Sequence, residues 1–221
     1  MALMVVDGGI FGYYAGRNAL ASPFESHRAF WRYLVAIGGT AMVFGSAELV
    51  GLVVQSVFVT ATSHFALFLF IAAISFAMRE MYYNSALAPP PDERRVSLST
   101  VRRVEFALFG VVALEWMAVV FIQRSLVTTA VRVGASVVLT AYGIVFNERL
   151  ESLTAGTRFD TLRLHLLPIL VIAGLLGGID AARLLGGPET IVRGVESTLV
   201  VLVAGLLLPA TIRLQQNVTR R

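Results

Sequence analysis

The hydrophobic residues of this chain are gathered into long runs that polar segments separate. Each run has about the length that an α-helix needs to cross the roughly 30 Å hydrocarbon core of a bilayer. The pattern predicts an all-α integral membrane protein, a bundle of six transmembrane helices forming a single transmembrane domain over residues 1–221. The runs cover residues 30–54, 57–78, 104–122, 126–146, 164–185 and 191–212.

The polar segments between the runs predict loops and turns. Residues 84–100 combine three prolines with a charge cluster, which indicates an extended, solvated loop. Residues 147–163 are similarly polar and predict a second loop. Short polar segments at 55–56, 123–125 and 186–189 predict tight turns, with Pro188 at the first position of the last helix.

The first 28 residues leave two topologies open. Residues 1–20 are apolar around Asp7, but the apolar stretch is short and lacks the features of a cleaved signal peptide. We expect a cytoplasmic, interfacial or re-entrant segment. If the segment spans the membrane instead, the protein has seven helices and an outside N-terminus, and the other six keep their orientation.

The arginines predict the orientation of the helices. Fourteen of the 18 basic residues fall on one side of the six-helix map, and short cytoplasmic loops are enriched in basic residues. This places the C-terminus in the cytoplasm, with the protein in the cytoplasmic membrane. Trp31, Tyr33, Tyr82 and Tyr83 then fall at the inner interface, where amphipathic rings are favoured.

The composition supports a membrane protein and excludes several chemistries. Hydrophobic residues make up 57% of the chain and charged residues only 14%. The chain has no cysteine, which excludes thiolate nucleophiles and iron–sulfur clusters, and no lysine, which excludes a Schiff base with retinal. Phosphate-binding and hydrolase motifs are also absent from the sequence. We therefore expect no enzyme activity and no cofactor.

The basic character of the chain indicates lipid rather than nucleic acid as a partner. The pI is about 10.0, but the arginines are spread next to helix ends, where anionic lipid headgroups are the nearest partners. We expect the bilayer, a small ion or proton, and either a second copy or another membrane subunit as partners.

Charged residues inside the hydrophobic runs are the candidate functional residues, because they are costly in hydrocarbon unless paired or hydrated. With a rise of 1.5 Å per residue, most of them should lie on the order of 10 Å below the outer surface. All six predicted helices contribute one. They are Glu48, His64, Glu115, Arg132, Asp180 and Glu196.

Small residues predict that some of these helix faces point into the bundle. Ala41 and Gly45 share a face with Glu48, and a stripe of Ala173, Gly177 and Ala181 lies next to Asp180. The Gly-Gly pairs at 38–39 and 177–178 likewise predict close helix packing.

Two functions are compatible with this pattern. In the leading one, the six residues form an outward-facing polar pocket for proton or cation translocation, with Glu48 and Glu115 as carriers, His64 as a relay and Arg132 as an electrostatic modulator. The alternative is a non-catalytic sensor or accessory subunit whose polar residues fix helix packing.

The histidines predict neither a haem site nor a shared metal site. His64 and His165 should lie at opposite membrane faces, so one metal ion cannot bind both. Glu48, His64 and Glu115 could hold a divalent ion if they converged, but an intramembrane histidine is more often a packing residue. We expect no metal.

Overall fold

The computed structural model describes residues 1–22, 28–84, 97–122, 126–154 and 158–219. Within these residues the chain forms α-helices and no strands. The helices are α1 (Ala2–Ala21), α2 (Arg28–Gly51), α3 (Val57–Asn84), α4 (Leu98–Ile122), α5 (Leu126–Thr154), α6 (Arg158–Gly178), α7 (Asp180–Leu184) and α8 (Glu189–Thr219).

Six segments are long and apolar enough to cross a membrane, and they correspond to the six predicted runs. They are α2, α3, α4, α5, the α6–α7 segment and α8. The prediction of an all-α transmembrane bundle is confirmed, and the chain is a polytopic membrane protein. Large apolar side chains such as Phe106, Leu114 and Phe121 are exposed on the outside of the bundle, as lipid contact requires.

The predicted loop over residues 147–163 is wrong for 147–154 and 158–163, which are helical, whereas 155–157 lie outside the described residues. Helix α5 continues to Thr154 and α6 already begins at Arg158. Residues 148–151 contain good helix formers, and Leu150 is fully buried in the core, so packing extends the helix beyond the membrane-length run.

The other predicted loop and turns have mixed outcomes. One loop was predicted over residues 84–100. Residues 85–96 lie outside the described part of the chain, and residues 98–100 are not a loop, because α4 already begins at Leu98. The predicted turn at 123–125 also lies outside the described residues. Residues 55–56 are non-helical as predicted. Pro188 precedes α8 by one residue, and its carbonyl accepts the first helical hydrogen bonds from Ile191 and Val192.

The fifth predicted helix is interrupted next to a candidate site residue. Helix α6 ends at Gly178, and α7 begins at Asp180. The amide of Ile179 donates to Leu176 O, and that of Ala182 to Ile179 O, so the hydrogen bonds here have the tighter three-residue spacing. Gly186, with a φ of 80°, then turns the chain towards α8.

Helix α1 runs antiparallel to α2 along most of its length. A Cβ on Gly38 would lie 2.5 Å from the Cα of Gly12, whereas one on Gly45 would lie 3.1 Å from Met1 O. The Asn18 amide, near the other end of α1, donates to Leu214 O of α8 at 2.9 Å. Helix α1 therefore lies at the same depth as α2, although its sequence is less apolar than the six spans.

Helix α3 forms the centre of the bundle and contacts α2, α4, α5 and α6. Its residues Phe70, Ile71, Ile74 and Met78 are fully buried. Two groups of buried charges lie at opposite ends of this helix. We call them the Arg132 cluster, near the start of α3, and the Arg79 cluster, near its end.

Candidate functional site

Arg132 of α5 joins three of the predicted site residues. Its Nη2 lies 2.9 Å from Asp180 Oδ2, its Nε lies 3.5 Å from Glu115 Oε1, and its Nη1 lies 3.1 Å from His64 Nε2. Arg132, Glu115 and Asp180 are all buried. Because these residues come from α3, α4, α5 and α7, the guanidinium connects four helices at one point.

Arg183 is a second arginine of the cluster. It binds Asp180 one turn earlier, and its Nη2 donates to Glu196 Oε2 at 2.9 Å. In the sequence, Arg183 is one of the four arginines outside the group of fourteen on the predicted cytoplasmic side. The three-residue spacing from Asp180 was the signal that could have identified it.

Glu48 differs from the other carboxylates of the cluster. Its Oε1 accepts a hydrogen bond from the hydroxyl of Ser63, and it has no ion pair among the described residues. Ser63 is buried, and Glu48 is half-buried. This carboxylate is thus the one of the cluster without an arginine in direct contact, although the N-terminal ammonium and Arg183 act on it electrostatically.

A small cavity lies between these side chains. It is lined by five of the six predicted site residues, Glu48, His64, Arg132, Asp180 and Glu196, together with apolar residues of α2, α3 and α6. Its volume is about 20 Å³, which is room for about one water molecule. The sixth residue, Glu115, joins the group through Arg132.

The Arg132 cluster contains more acids than bases. It consists of two arginines, four carboxylates, His64 and Ser63. The exposed Glu189 and Arg193 at the edge of the cluster bind each other, so they do not change the difference between the numbers of acidic and basic side chains. With every carboxylate ionised and His64 neutral, the described side chains of the cluster carry two more negative than positive charges, and the N-terminal ammonium, which acts on Glu48, offsets one of them. Such charges are costly in a poorly hydrated site, and bound protons or a cation would remove them.

Arg132 Nη1 lies close to both ring nitrogens of His64, 2.5 Å from Nδ1 and 3.1 Å from Nε2. Because a guanidinium has only N–H donors, a hydrogen bond from Arg132 requires the ring nitrogen that accepts it to be unprotonated.

The Arg79 cluster is a second charged group, which sequence analysis missed. Arg79 is completely buried, and its Nε and Nη2 donate to the two oxygens of Glu105 at 2.8 and 2.7 Å. Its Nη1 lies 2.9 Å from Glu80 Oε2. The hydroxyl of Tyr142 also donates to Glu105, at 2.6 Å. Arg79 follows the predicted run 57–78 directly and Glu105 is the second residue of the run 104–122, positions where a charge usually signals the interface.

Among the described residues, the Arg79 cluster contains two arginines and two glutamates. Glu105 and Glu80 face Arg79, and Arg102, which is 58% exposed, lies 3.3 Å from Glu80. The bidentate geometry between Arg79 and Glu105 fixes α3 against α4, and Tyr142 adds α5. This cluster has the features of a structural anchor, whereas the Arg132 cluster has an excess of acid.

Two expectations about the helix ends need correction. Trp31 and Tyr83 are buried by neighbouring helices, so their rings pack against protein and not against lipid headgroups. Arg79 and Arg163 likewise bind protein groups instead of lipid headgroups, Arg163 through Asp160 at 3.0 Å.

The small-residue predictions are confirmed at some positions only. Gly177 faces Ser136 of α5, and Gly38 faces α1. No heavy atom would lie within 4 Å of a Cβ on Gly39 or Gly178. The second glycine of each pair therefore points away from the helix contact, as the rotation of 100° per residue requires.

Among the described residues, no group of three or more metal-binding side chains could hold an ion. Comparisons of the chain with protein-family models, with curated proteins and with solved structures found no match. The function must therefore be inferred from the two charged clusters themselves.

Proposed function

We propose that the protein is a proton-translocating membrane protein without enzyme activity, and that the Arg132 cluster takes up the proton. The observation that carries this proposal is the excess of acid around one cavity at one end of the bundle. The orientation inferred from the arginines places this end outside the cytoplasm.

Glu48 is the residue we assign to proton uptake. Its only hydrogen-bond partner among the described residues is a neutral hydroxyl, and it lines the cavity together with Glu196, which Arg183 neutralises. A carboxylate in this setting gains more from protonation than one that is already paired with an arginine. Glu115, held more loosely by Arg132, is the second carrier.

The geometry favours a proton over a larger ion. The cavity accommodates about one water molecule, and the guanidinium of Arg132 forms part of its wall. A metal cation in this space would meet that positive charge. A proton does not have to occupy the cavity as a separate ion, because it moves along hydrogen bonds.

A sensor or accessory subunit is the second candidate. Three carboxylates of the cluster, on α4, α7 and α8, interact with arginines on α5 and α7, and the fourth, Glu48 of α2, binds Ser63 of α3. A change in protonation would therefore change the attraction between several helices. In that case the cluster would report the outside pH without moving protons across the membrane.

Purified protein in liposomes separates the two candidates. With a pH dye inside and a potassium diffusion potential that is negative inside, proton translocation predicts acidification that empty liposomes lack. Replacing external sodium by choline should leave the rate unchanged, because no metal cation is carried. An acidification rate equal to that of empty liposomes would contradict proton translocation. The sensor or accessory subunit would then be the remaining candidate.

A further inference from the structure

Arg183 lies between the cavity of the Arg132 cluster and the solvent-exposed edge of the bundle. On one side it binds Asp180 and Glu196, two carboxylates that line the cavity. On the other side its Nε lies 3.3 Å from Oε2 of Glu189. The exposed fraction of the side chain rises from 11% for Asp180 to 29% for Arg183 and 54% for Glu189. The guanidinium therefore separates the cavity carboxylates from the outer solution.

Helix α7, which carries Arg183, is a short segment between two breaks of the chain. One break, next to Asp180, separates it from α6, and Gly186 with its φ of 80° separates it from α8. Asp180 joins α7 to α5 through Arg132, whereas Arg183 joins α7 to α8 through Glu196. The ion pairs of Arg183 therefore hold α7 against α8 at this end of the cavity.

The guanidinium of Arg183 has carboxylates within reach both at the cavity and outside it. Its Nη1 and Nη2 bind the cavity carboxylates of Asp180 and Glu196, and its Nε contacts Glu189 at the longer distance of 3.3 Å. If Arg183 turned outward, Glu189 could accept the bidentate pair that an arginine forms with a single carboxylate. Asp180 would keep Arg132 as its partner at 2.9 Å. Arg183 can thus exchange positions without losing an anionic partner.

The position of Arg183 affects the charge of the cavity as well as access to it. While Arg183 binds Glu196, its positive charge compensates this carboxylate. When Arg183 turns outward, Glu196 acts on Glu48 as a like charge without that compensation, which favours uptake of a proton. The charged and titratable groups that line the cavity with Glu196 are Glu48 of α2, His64 of α3, Arg132 of α5 and Asp180 of α7. One movement would therefore open the cavity and increase the gain from binding a proton there.

We propose that Arg183 is a latch at the outer mouth of the cavity, closed when it binds Asp180 and Glu196 and open when it binds Glu189. This inference rests on the proposed function, to which it adds control of proton access from outside. Arg183 is a positioning residue and carries no transferred proton itself. In the open position water reaches the cavity and Glu48 takes up one proton, and the return of Arg183 closes the mouth.

Cysteine labelling measures how often the cavity is open, because the chain has no native cysteine. Leu176→Cys places the reporter in the cavity wall, at a buried position one turn before Asp180. The reagent is 2-aminoethyl methanethiosulfonate, applied to the purified protein in detergent. Side-chain rotamer changes at exposed positions are far faster than labelling. The labelling rate is therefore proportional to the fraction of molecules in which the latch is open.

Two substitutions at the same ion pair should change the labelling rate in opposite directions. Arg183→Gln removes the latch, so labelling should become faster on the order of 10-fold, the scale of a hydrogen bond between charged groups. Glu189→Gln removes the outer partner, so labelling should become slower by about 2- to 5-fold, the scale of an exposed ion pair. The control Arg213→Gln removes an exposed positive charge of α8 at the other end of the bundle. This control should label at the rate of Leu176→Cys alone.

A purely structural network predicts a different result, because either substitution breaks the contact between Arg183 and Glu189 and would loosen α7. Labelling of Glu189→Gln that is as fast as that of Leu176→Cys alone, or faster, would therefore overturn the latch. Unchanged labelling of Arg183→Gln would also overturn it. If Arg183→Gln does not fold, the result for Glu189→Gln decides alone.

The liposome assay distinguishes this inference from the proposed function. Proton flux in the wild type, together with labelling rates that contradict the latch, would leave translocation standing without it. The expected labelling rates without proton flux in the wild type would contradict translocation. Arg183 would then remain the residue that closes the cavity, in a protein that acts as a sensor.

Discussion

Glu105 and Glu115 project from the same helix, α4, and bind arginines at opposite ends of the bundle. Glu105 binds Arg79 at 2.7 Å, and Glu115 lies 3.5 Å from Arg132. Helix α4 is otherwise largely exposed, and only 22% of its most apolar window is buried. Its position therefore depends strongly on the two ion pairs.

Replacing Arg79 by methionine should destabilise the protein. The change leaves Glu105 buried without its cation, and breaking a buried pair in this way costs about 3–5 kcal/mol. The matched control is Arg102→Gln, because that arginine is exposed and its pair contributes about 0–1 kcal/mol. Thermal unfolding in detergent measures both. Equal melting temperatures for the two variants would contradict the role of Arg79 as an anchor.

The buried pair of Arg132 and Asp180 can be tested by a double-mutant cycle. Arg132→Gln alone should cost about 3–5 kcal/mol, since it leaves the buried Glu115 without a cation and Asp180 with Arg183 alone. Adding Asp180→Asn removes one of those charges, so the double variant should be more stable than Arg132→Gln alone. Additive losses, again from thermal unfolding, would show that the two side chains do not interact.

The contact between α1 and α2 predicts different outcomes for two adjacent glycines. Gly38→Ala places a methyl group 2.5 Å from the backbone of Gly12, and overpacking of this kind costs about 1–3 kcal/mol. Gly39→Ala meets open space and should be neutral or stabilising, since alanine favours a helix over glycine by about 1 kcal/mol. If both variants have the same melting temperature, the close packing of α1 on α2 is wrong.

The absence of native cysteine makes single-cysteine labelling a clean test of topology. Gln55→Cys, in the exposed connection between α2 and α3, should react with an impermeant maleimide applied outside intact cells. Thr219→Cys should react only after the membrane is opened. Ala2→Cys decides between six and seven spans, and the packing of α1 along α2 predicts labelling from outside. Labelling of Gln55→Cys and Ala2→Cys from opposite sides would contradict a spanning α1.

Most of the fold follows from the hydrophobic runs, because a membrane restricts a spanning chain to helices of a certain length. The placement of α1 could not be predicted in the same way. Asp7, Arg17 and several glycines lower its hydropathy, and the glycines Gly8 and Gly12 that allow it to pack on α2 act only once both helices are present.

The site was predicted in part for a similar reason. Charges in the middle of apolar runs, such as Glu115 and Arg132, are recognisable because hydrocarbon makes them costly. Arg79 and Glu105 escaped notice because they lie near the ends of their helices, where sequence does not distinguish a buried ion pair from interfacial charges. Their burial depends on how deeply α3 and α4 extend beside α5, which is a property of the assembled bundle.

Glu48 is the residue proposed to take up the translocated proton, and the proton flux of Glu48→Gln in liposomes tests this role most directly. Glutamine keeps the shape of the side chain and an acceptor for Ser63, but it does not titrate. We predict a loss of proton flux on the order of 100-fold with an unchanged melting temperature. The control Glu151→Gln, at an exposed carboxylate of α5, should keep the wild-type flux. Equal flux from the wild type and Glu48→Gln would contradict the claim.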